Sequence, residues 1–303
     1  MRVLLYIHSR ITRTLCLILF VFLTPILQAS ENSEYESNMI IKPIELESDE
    51  RCDMICDYKG EIYLLQSNNN KVQKIGPNPH ILAEIGGFGF GVGQFNNPTS
   101  IYTNDGGLNI YVLDSENRRI ARLNSDLKWL DQITLESAYD NQAVGDLTGL
   151  ALNSLGEFYV SDPRNFRILK LDAEGKLSGI LSGRSKLIIP GDLLCDKRDY
   201  VYACNQTDSS IVCFDDLGNL SGRTKNELFK IPQRIAVHEE RLLILDGSPN
   251  SIYLCSFDGR QLDQLVQGRD QRTDYAAIAS DRENIIIYEA LIDYLRIFNK
   301  REK

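Results

Sequence analysis

Two acid–base pairs recur in this sequence at the same spacing. Asp114 precedes Arg119 by five positions, and Asp162 precedes Arg167 by the same five. A carboxylate beside a guanidinium can belong to a catalytic centre, or it can hold a turn through charge-assisted hydrogen bonds. Because a single active site does not require the pair to recur, the repetition favours a structural role for both pairs.

Other arrangements able to carry catalysis are sparse. Beyond the amino-terminal segment the histidines are His80 and His238, which are too few for a three-histidine zinc centre. The sequence contains no Gly-x-Ser-x-Gly nucleophile motif. The glycine-rich stretch 86–93 lacks the spacing of a dinucleotide-binding loop and no helical pattern follows it, so we interpret it as a loop between strands.

Three aromatic residues lie on or beside this glycine-rich stretch: Phe88, Phe90 and Phe95. On an exposed loop they would give large apolar anchors for a binding partner. The alternative is that they wedge between neighbouring parts of the core. The sequence leaves both interpretations open.

The elements that must position these residues form a repeat. Six apolar segments each end in a polar residue, and these polar residues lie 48, 48, 43, 41 and 43 positions apart. A period in the forties with several short strands per repeat is typical of a β-propeller. We therefore predict an all-β, six-bladed propeller of four-stranded antiparallel blades, with central strands at 62–66, 110–114, 158–162, 201–205, 242–246 and 285–289.

The residue before each inner strand is expected to face the mouth of the central channel. Since the first and fourth repeats are opposite in a six-fold ring, two carboxylates would face each other there, with an arginine beside one of them. Converging carboxylates can bind Ca²⁺ or another divalent metal, which the arginine would oppose. A solvated ring or a site for a polar ligand is the alternative. Over the six repeats the residues are Asp53, Ser100, Gly149, Asp192, Arg234 and Ala277.

The last repeat ends at Lys303 without an outer strand, whereas residues 39–46 form an apolar segment without a repeat of its own. We predict that this segment pairs with the sixth blade and closes the ring. An open ring would leave a strand edge in water.

Residues 1–29 have the pattern of a secretory signal peptide, with three arginines, an apolar run at 15–23 and Ala29 at the cleavage position. We predict a flexible leader at 30–37, one propeller domain at 38–303, and a secreted or periplasmic protein without stable membrane insertion after cleavage. An uncleaved signal anchor is the alternative. Three of the 33 basic residues and none of the 42 acidic ones lie in the signal, so the rest carries a net charge of −12. This charge argues against nucleic acid as a partner.

Six cysteines follow the signal peptide: Cys52, Cys56, Cys195, Cys204, Cys213 and Cys255. In an exported chain they permit disulfides, with Cys204 and Cys213 on neighbouring strands as the favoured pair. Free, buried thiols are the equal alternative.

The second and third repeats resemble NHL repeats. The resemblance rests on Gly91–Pro98, Ile110–Asp114 and Asn117–Ile120, and is repeated by Phe158–Asp162 with Asn165–Ile168. It implies a six-bladed propeller similar to exported bacterial NHL-type and TolB-like propellers. That family consists mostly of binding scaffolds, with some enzymes.

We therefore expect a binding scaffold for a protein, peptide or glycan. The alternative is a divalent-metal-dependent hydrolase or lactonase with its site at the channel mouth, because propeller lactonases of the gluconolactonase type hold a metal at a comparable position. A repeat module that senses cell-envelope ligands within a larger complex is a third hypothesis. The sequence does not give the oligomeric state.

Overall fold

A computed structural model describes most of the chain. The predicted signal peptide and the leader up to residue 34 lie outside the described residues. No helix in the described part is long and apolar enough to cross a membrane, and the helical element described there is the short 3-10 turn Pro163–Asn165. The described residues are 35–41, 51–77, 80–139, 141–182, 188–247, 250–266, 275–281, 283–290 and 294–300.

Six four-stranded antiparallel sheets form the blades of a propeller, which confirms the predicted fold. In blades one to five the strands follow chain order from the inner to the outer strand. Strand β1 (Tyr35–Ile41) belongs to the sixth blade. The first three blades are β2 (Cys52–Cys56), β3 (Ile62–Gln66), β4 (Lys71–Ile75) and β5 (Ile81–Gly86); β6 (Pro98–Tyr102), β7 (Asn109–Asp114), β8 (Arg119–Asn124) and β9 (Trp129–Thr134); and, after the small hairpin β10 (Ala138–Tyr139) and β11 (Gln142–Ala143), β12 (Leu150–Leu152), β13 (Phe158–Asp162), β14 (Arg167–Leu171) and β15 (Leu177–Leu181).

The second half repeats the arrangement, and the inner strands of consecutive blades contact one another around the ring, including β2 with the inner strand of blade six. Blades four to six are β16 (Pro190–Cys195), β17 (Val201–Asn205), β18 (Ser210–Phe214) and β19 (Leu220–Lys225); β20 (Pro232–His238), β21 (Arg241–Asp246), β22 (Ser251–Ser256) and β23 (Leu262–Val266); and β24 (Tyr275–Ser280), β25 (Asn284–Glu289) and β26 (Tyr294–Lys300) with β1.

Strand β1 closes the ring as the outer strand of blade six, and it pairs antiparallel with β26 from Tyr35↔Lys300 to Ile41↔Leu295. The closure confirms the predicted architecture, but the strand begins earlier than residue 39, and residues 42–46 lie outside the described part. The predicted flexible leader at 30–37 is wrong over residues 35–37, because these residues belong to β1 and the core buries the ring of Tyr35. Its hydroxyl also lies 2.8 Å from His238 Nε2.

The central strands are covered on both faces, which explains their continuous apolar sequences. Every residue of β3, β13 and β17 is buried. The cores lie between adjacent blades: Tyr63 and Leu65 of blade one pack in one cluster with Ile101 and Val112 of blade two. Each blade therefore needs its neighbours to bury its apolar faces.

The propeller has two different faces. On the turn face, the inner-to-central turns are closed by side chains: Asp57 Oδ1 accepts hydrogen bonds from the N–H groups of Lys59 and Glu61 at 2.8 and 2.9 Å. Asn153 and Asp196 make the same pair of bonds in blades three and four. The opposite side, the loop face, carries the connections between blades and the loops from central to third strands.

Candidate functional site

A buried polar residue ends each central strand at the loop face. Such a group is costly to bury unless it is hydrogen-bonded, and several of these residues accept N–H groups from the connection that enters their own blade. Asp114 Oδ1, for example, accepts from Asn96 N–H at 2.8 Å. In blades two to five the repeated position thus ties the entering connection to its blade. The six residues are Gln66, Asp114, Asp162, Asn205, Asp246 and Glu289.

Arg119 extends this tie in blade two. Its guanidinium is buried over the Trp129 ring at 4.9 Å, and Nε donates to Asp114 Oδ2 at 2.7 Å. Because the pair is desolvated, it is stable only if the remaining N–H groups are also satisfied. They donate to Gln132 Oε1 at 2.9 Å and to the carbonyls of Phe90, Gly91 and Gln94 at 3.2, 3.0 and 2.6 Å.

These bonds hold the loop of residues 87–95, which we name the Phe loop. Asn117 Nδ2 adds a bond to the Gly89 carbonyl at 2.9 Å. Held by its backbone, the loop leaves Phe88 and Phe90 at 67% and 71% exposure. Their rings meet edge to face at 5.9 Å. The sequence prediction had grouped these two residues as loop-face binding candidates, and the structure brings them together.

The binding role predicted for Phe95, the third aromatic residue, is wrong, and the alternative that it packs in the core holds. It is 0% exposed and packs beside the Trp129 ring at 6.3 Å. Its backbone exchanges two hydrogen bonds across the loop, with Gly87 O and Gly89 N–H, each at 3.0 Å. Phe95 therefore anchors the base of the Phe loop in the core, while the tip carries the exposed rings.

The same arrangement recurs in blade three around Arg167. Its Nε donates to Asp162 Oδ2 at 2.9 Å, and its Nη1 to the carbonyl of Tyr139 at 3.0 Å. Asn165 Nδ2 donates to the Ala143 carbonyl at 2.9 Å. Here the held segment is the β10–β11 hairpin, and its aromatic residue Tyr139 is buried. In both blades an aspartate–arginine pair holds a neighbouring segment by its carbonyl groups, and we name each such pair a clamp. The clamp of blade two holds a loop with exposed aromatic rings, whereas the clamp of blade three holds a hairpin whose aromatic residue is buried.

In the central channel, Asp53 of β2 is buried and already has several donors. Its Oδ1 accepts Met54 N–H at 2.9 Å. Its Oδ2 accepts the Ser100 hydroxyl at 3.0 Å and Ile101 N–H at 2.8 Å, both from blade two. Asp53 therefore joins the inner strands of two neighbouring blades.

Asp192 of β16 plays a similar part between blades four and five, where its Oδ2 accepts Ile235 N–H at 2.9 Å. Arg234 lies between the two acids: it donates to the Cys52 carbonyl at 3.1 and 2.6 Å, and its Nε is 3.9 Å from Asp53 Oδ1. Burial, together with the negative charge of Asp53 and against the attraction of Arg234, raises the pKa of Asp192 to about 7. The structure thus brings four of the six predicted channel-mouth residues into one cluster: Asp53, Ser100, Asp192 and Arg234.

A cavity of about 710 Å³ is enclosed by the inner strands. Asp53 and Asp192 line it near the loop-face ends of these strands, and exposed residues of the turns, including Asn104, Ser154 and Glu240, line its other end. The cavity therefore opens on the turn face. Among the described residues, no group of three or more His, Cys, Asp or Glu side chains is placed to hold a metal ion.

Two side-chain contacts near the cavity have no counterpart in the sequence predictions. The Tyr102 hydroxyl of blade two donates to the Cys195 carbonyl of blade four at 3.1 Å. His238, whose pKa burial lowers, lies 2.6 Å through Nδ1 from Ser280 Oγ, which lines the cavity. These partners are far apart in the chain, and no local pattern connects them.

The six cysteines after residue 29 are thiols and form no disulfide in this structure. Cys204 faces Ile211 and Cys213 faces Tyr202 across the β17–β18 ladder, so the two lie on one face but diagonally. Burial raises the pKa of Cys213 to about 11 and that of Cys195 to about 12. These thiols are therefore protonated at neutral pH.

No family model matches the sequence, and no curated protein matches it. Solved structures do match the fold. One is a catalytically inactive virginiamycin B lyase from Staphylococcus aureus with quinupristin, at 16% identity and a TM-score of 0.60, with 81% of this chain and 79% of that chain covered.

Two further solved structures that match the fold come from other organisms. A structural genomics protein of unknown function from Bacteroides thetaiotaomicron is 16% identical with a TM-score of 0.63, over 88% of this chain and 75% of that one. The Pan2 WD40 domain of Neurospora crassa is 9% identical with a TM-score of 0.56, over 89% and 96%. At these identities the likeness shows the propeller fold alone.

Proposed function

We propose that this chain is an NHL-like propeller that acts as a binding scaffold, and that its loop face binds a protein or peptide through the Phe loop. The observation that carries the proposal is the pair of exposed rings, Phe88 and Phe90, on a backbone fixed by Arg119. Aromatic side chains are the commonest anchors of protein interfaces. An exposed apolar pair on a soluble surface is itself a mark of binding.

The fixed backbone adds to the case. A flexible loop must lose conformational freedom when it binds, and that loss weakens the complex. The carbonyls of Gly89, Phe90 and Gly91 already have donors from Asn117 and Arg119. Binding would therefore order few additional groups, and more of the contact energy would remain as affinity.

The experiment is a peptide selection on the purified chain, followed by affinity measurements on two variants. We expect selected peptides to bind Phe90→Ala about tenfold more weakly than the original chain. Leu217→Ala is the matched control, because Leu217 is a similarly exposed apolar residue at 81%. Peptides that bind both variants equally well would overturn the proposal.

The second candidate is the metal-dependent hydrolase or lactonase, favoured by the fact that Asp53 and Asp192 both line one cavity. Its difficulty lies in the partners of these acids. Asp53 accepts three hydrogen bonds, and Arg234 brings a positive charge to within 3.9 Å of it. A metal would have to displace those donors, so the scaffold is the preferred function.

We also propose that residues 1–29 direct export. The support is the sequence pattern alone: basic residues, a short apolar run and a small residue at 29. Amino-terminal sequencing of the protein from a cell-envelope fraction tests this, with processing next to Ala29 expected. An intact Met1 on the exported protein would favour the uncleaved anchor.

A further inference from the structure

The central cavity is a second surface of the molecule, on the face opposite the Phe loop. Its volume of about 710 Å³ lies within the range of about 300–1,000 Å³ that is usual for small-molecule sites. The buried side chains of Asp53 and Asp192 lie at one end, and the other end opens between turns. A ligand of modest size would be enclosed on its sides by inner strands.

The walls of the cavity are mostly apolar. They include residues from all six inner strands. Such walls accept a hydrocarbon or aromatic body and exclude water from it. The apolar lining includes Met54, Ile101, Leu152, Leu194, Val237 and Ile278.

The ionisable residues of the lining are predominantly acidic. The basic residues of the lining are Lys197 and Arg198, and the acidic ones are Asp53, Asp192, Asp196, Asp199, Glu239 and Glu240. Arg198 is already committed: its Nε and Nη2 donate to Asp196 Oδ2 at 2.9 and 2.6 Å, and it lies 5.0 Å over the Phe257 ring. A cleft lined mainly by one sign of charge, with walls of low dielectric constant, concentrates ions of the opposite sign.

The end of the cavity that holds Asp53 and Asp192 carries a negative charge that a cationic ligand could pair with. Asp53 and Asp192 share one counter-charge, Arg234, whose guanidinium is aimed at the Cys52 carbonyl. Two buried carboxylates with one arginine retain a negative charge when both are ionised. Tyr102 and Cys204, which also lie near Asp192, are protonated at neutral pH and do not neutralise it.

From the enclosed volume, the apolar walls and the residual negative charge, we propose that the cavity binds a small organic cation. The ammonium group lies towards Asp192, and the apolar body lies along the inner strands. The aromatic rings of Tyr102 and Phe257 line the same space and can contact the apolar body of the ligand. This inference does not depend on the proposed function of the loop face.

The test uses two probes of equal length, 4-phenylbutylamine and 4-phenylbutyrate, titrated into the purified chain at pH 8 by calorimetry. We expect the amine to bind and the carboxylate to show at least about tenfold weaker binding, because only the charge differs. Failure of the amine to bind, or equal binding of the two probes, overturns the proposal.

Two variants locate the site. Asp192→Asn preserves an acceptor for Ile235 N–H while it removes the charge, and we expect about tenfold weaker binding of the amine. Asp215→Asn is the control: Asp215 also accepts backbone N–H groups, from Leu217 and Asn219, but it does not line the cavity.

If Asp192→Asn does not fold, the amine is titrated into the original chain at pH 8 and at pH 5.5. Because the pKa of Asp192 is raised to about 7, its carboxylate is protonated at the lower pH, and we expect severalfold weaker binding of the amine there. An affinity that is equal at the two pH values would overturn the proposal.

Discussion

Two regions of this propeller place an arginine beside buried aspartate, and they do so differently. At the loop face, Arg119 serves one carboxylate, Asp114, and its other N–H groups reach four further acceptors. In the channel, Arg234 is shared by Asp53 and Asp192. The first arrangement is electrically balanced, whereas the second has one more acid than base.

The difference separates a structural role from a candidate functional one. A balanced buried pair whose groups are all hydrogen-bonded holds its surroundings, and its recurrence at Arg167 and Asp162 fits that role. Burial raises the pKa of Asp114 as well as that of Asp192, so it is the residual charge beside a cavity that distinguishes the unbalanced cluster. Such clusters are where ligands and chemistry are found more often than by chance.

The largest effect is expected when the balanced pair is broken. Arg119→Ala leaves Asp114 buried without its partner, which costs about 3–5 kcal/mol of unfolding free energy. Because the Phe loop loses three bonds to its carbonyls, we also expect rapid proteolysis between residues 87 and 94. Urea unfolding and limited proteolysis measure the two effects.

The control for Arg119→Ala is Arg122→Ala, which removes a more exposed pair with Asp131 and should cost less than about 1 kcal/mol. Equal losses in the two variants would mean that the clamp does not stabilise the fold, and the contrast with the channel would disappear.

Much of this contrast lies beyond sequence reasoning, although the fold does not. The regular spacing of the polar residues that end the central strands predicts the six blades, because each of these residues meets the same need in its own repeat. The motif also marks Asp114 with Arg119, since both lie in one hairpin.

Contacts that cross the ring leave no such pattern. Arg234 reaches Cys52, 182 positions away, and Tyr35 reaches His238, 203 positions away. The burial of Phe95 beside the exposed Phe90 is equally invisible, because one glycine-rich segment carries both. The predicted start of β1 was too late because Tyr35 lies among polar residues in the sequence, and these do not indicate that its ring packs in the core.

A smaller effect is expected when the shared arginine is removed. Arg234→Met withdraws the positive charge from both acids, but Asp192 can take up a proton in response, which limits the loss to about 1–3 kcal/mol. The loss should be greater at pH 8 than at pH 5, because protonation relieves the repulsion only at the lower pH. Thermal melts at both values measure it.

Arg260→Met, at an arginine whose side chain is 86% exposed, is the control for Arg234→Met. The difference in melting temperature between this variant and the original chain should be the same at both pH values. A loss in Arg234→Met that is as large as in Arg119→Ala and equal at both pH values would show that the channel cluster is as balanced as the clamp.

Asp192 itself gives the pH dependence of the original chain. Its pKa is raised to about 7 in the folded state by burial and by Asp53, and lies near 3.8 when unfolded. The folded chain therefore keeps a proton that the unfolded chain has released, and the free energy of unfolding falls as pH rises from about 4 to about 7.

We expect Asp192→Asn to flatten this slope, with a gain on the order of 1–2 kcal/mol at pH 8 relative to the original chain. Chemical unfolding at pH 5.5, 6.5 and 8 measures it, above the range in which acids of lowered pKa such as Asp208 change the stability. A slope that is identical in the variant would assign the pH dependence to other groups.

The smallest effect concerns metal. If the channel acids serve as inter-blade acceptors and as partners for an organic cation, then chelation should leave the melting temperature unchanged. Asp53 already accepts from Met54, Ser100 and Ile101, so a divalent ion would gain its oxygens only after these bonds break. Elemental analysis of the purified chain, with melts in the presence and absence of EDTA, decides the point. A stoichiometric metal whose removal lowers the melting temperature, and does so less in Asp192→Asn, would reverse the assignment: the unbalanced cluster would then be a metal site, and lactones would be the substrates to test next.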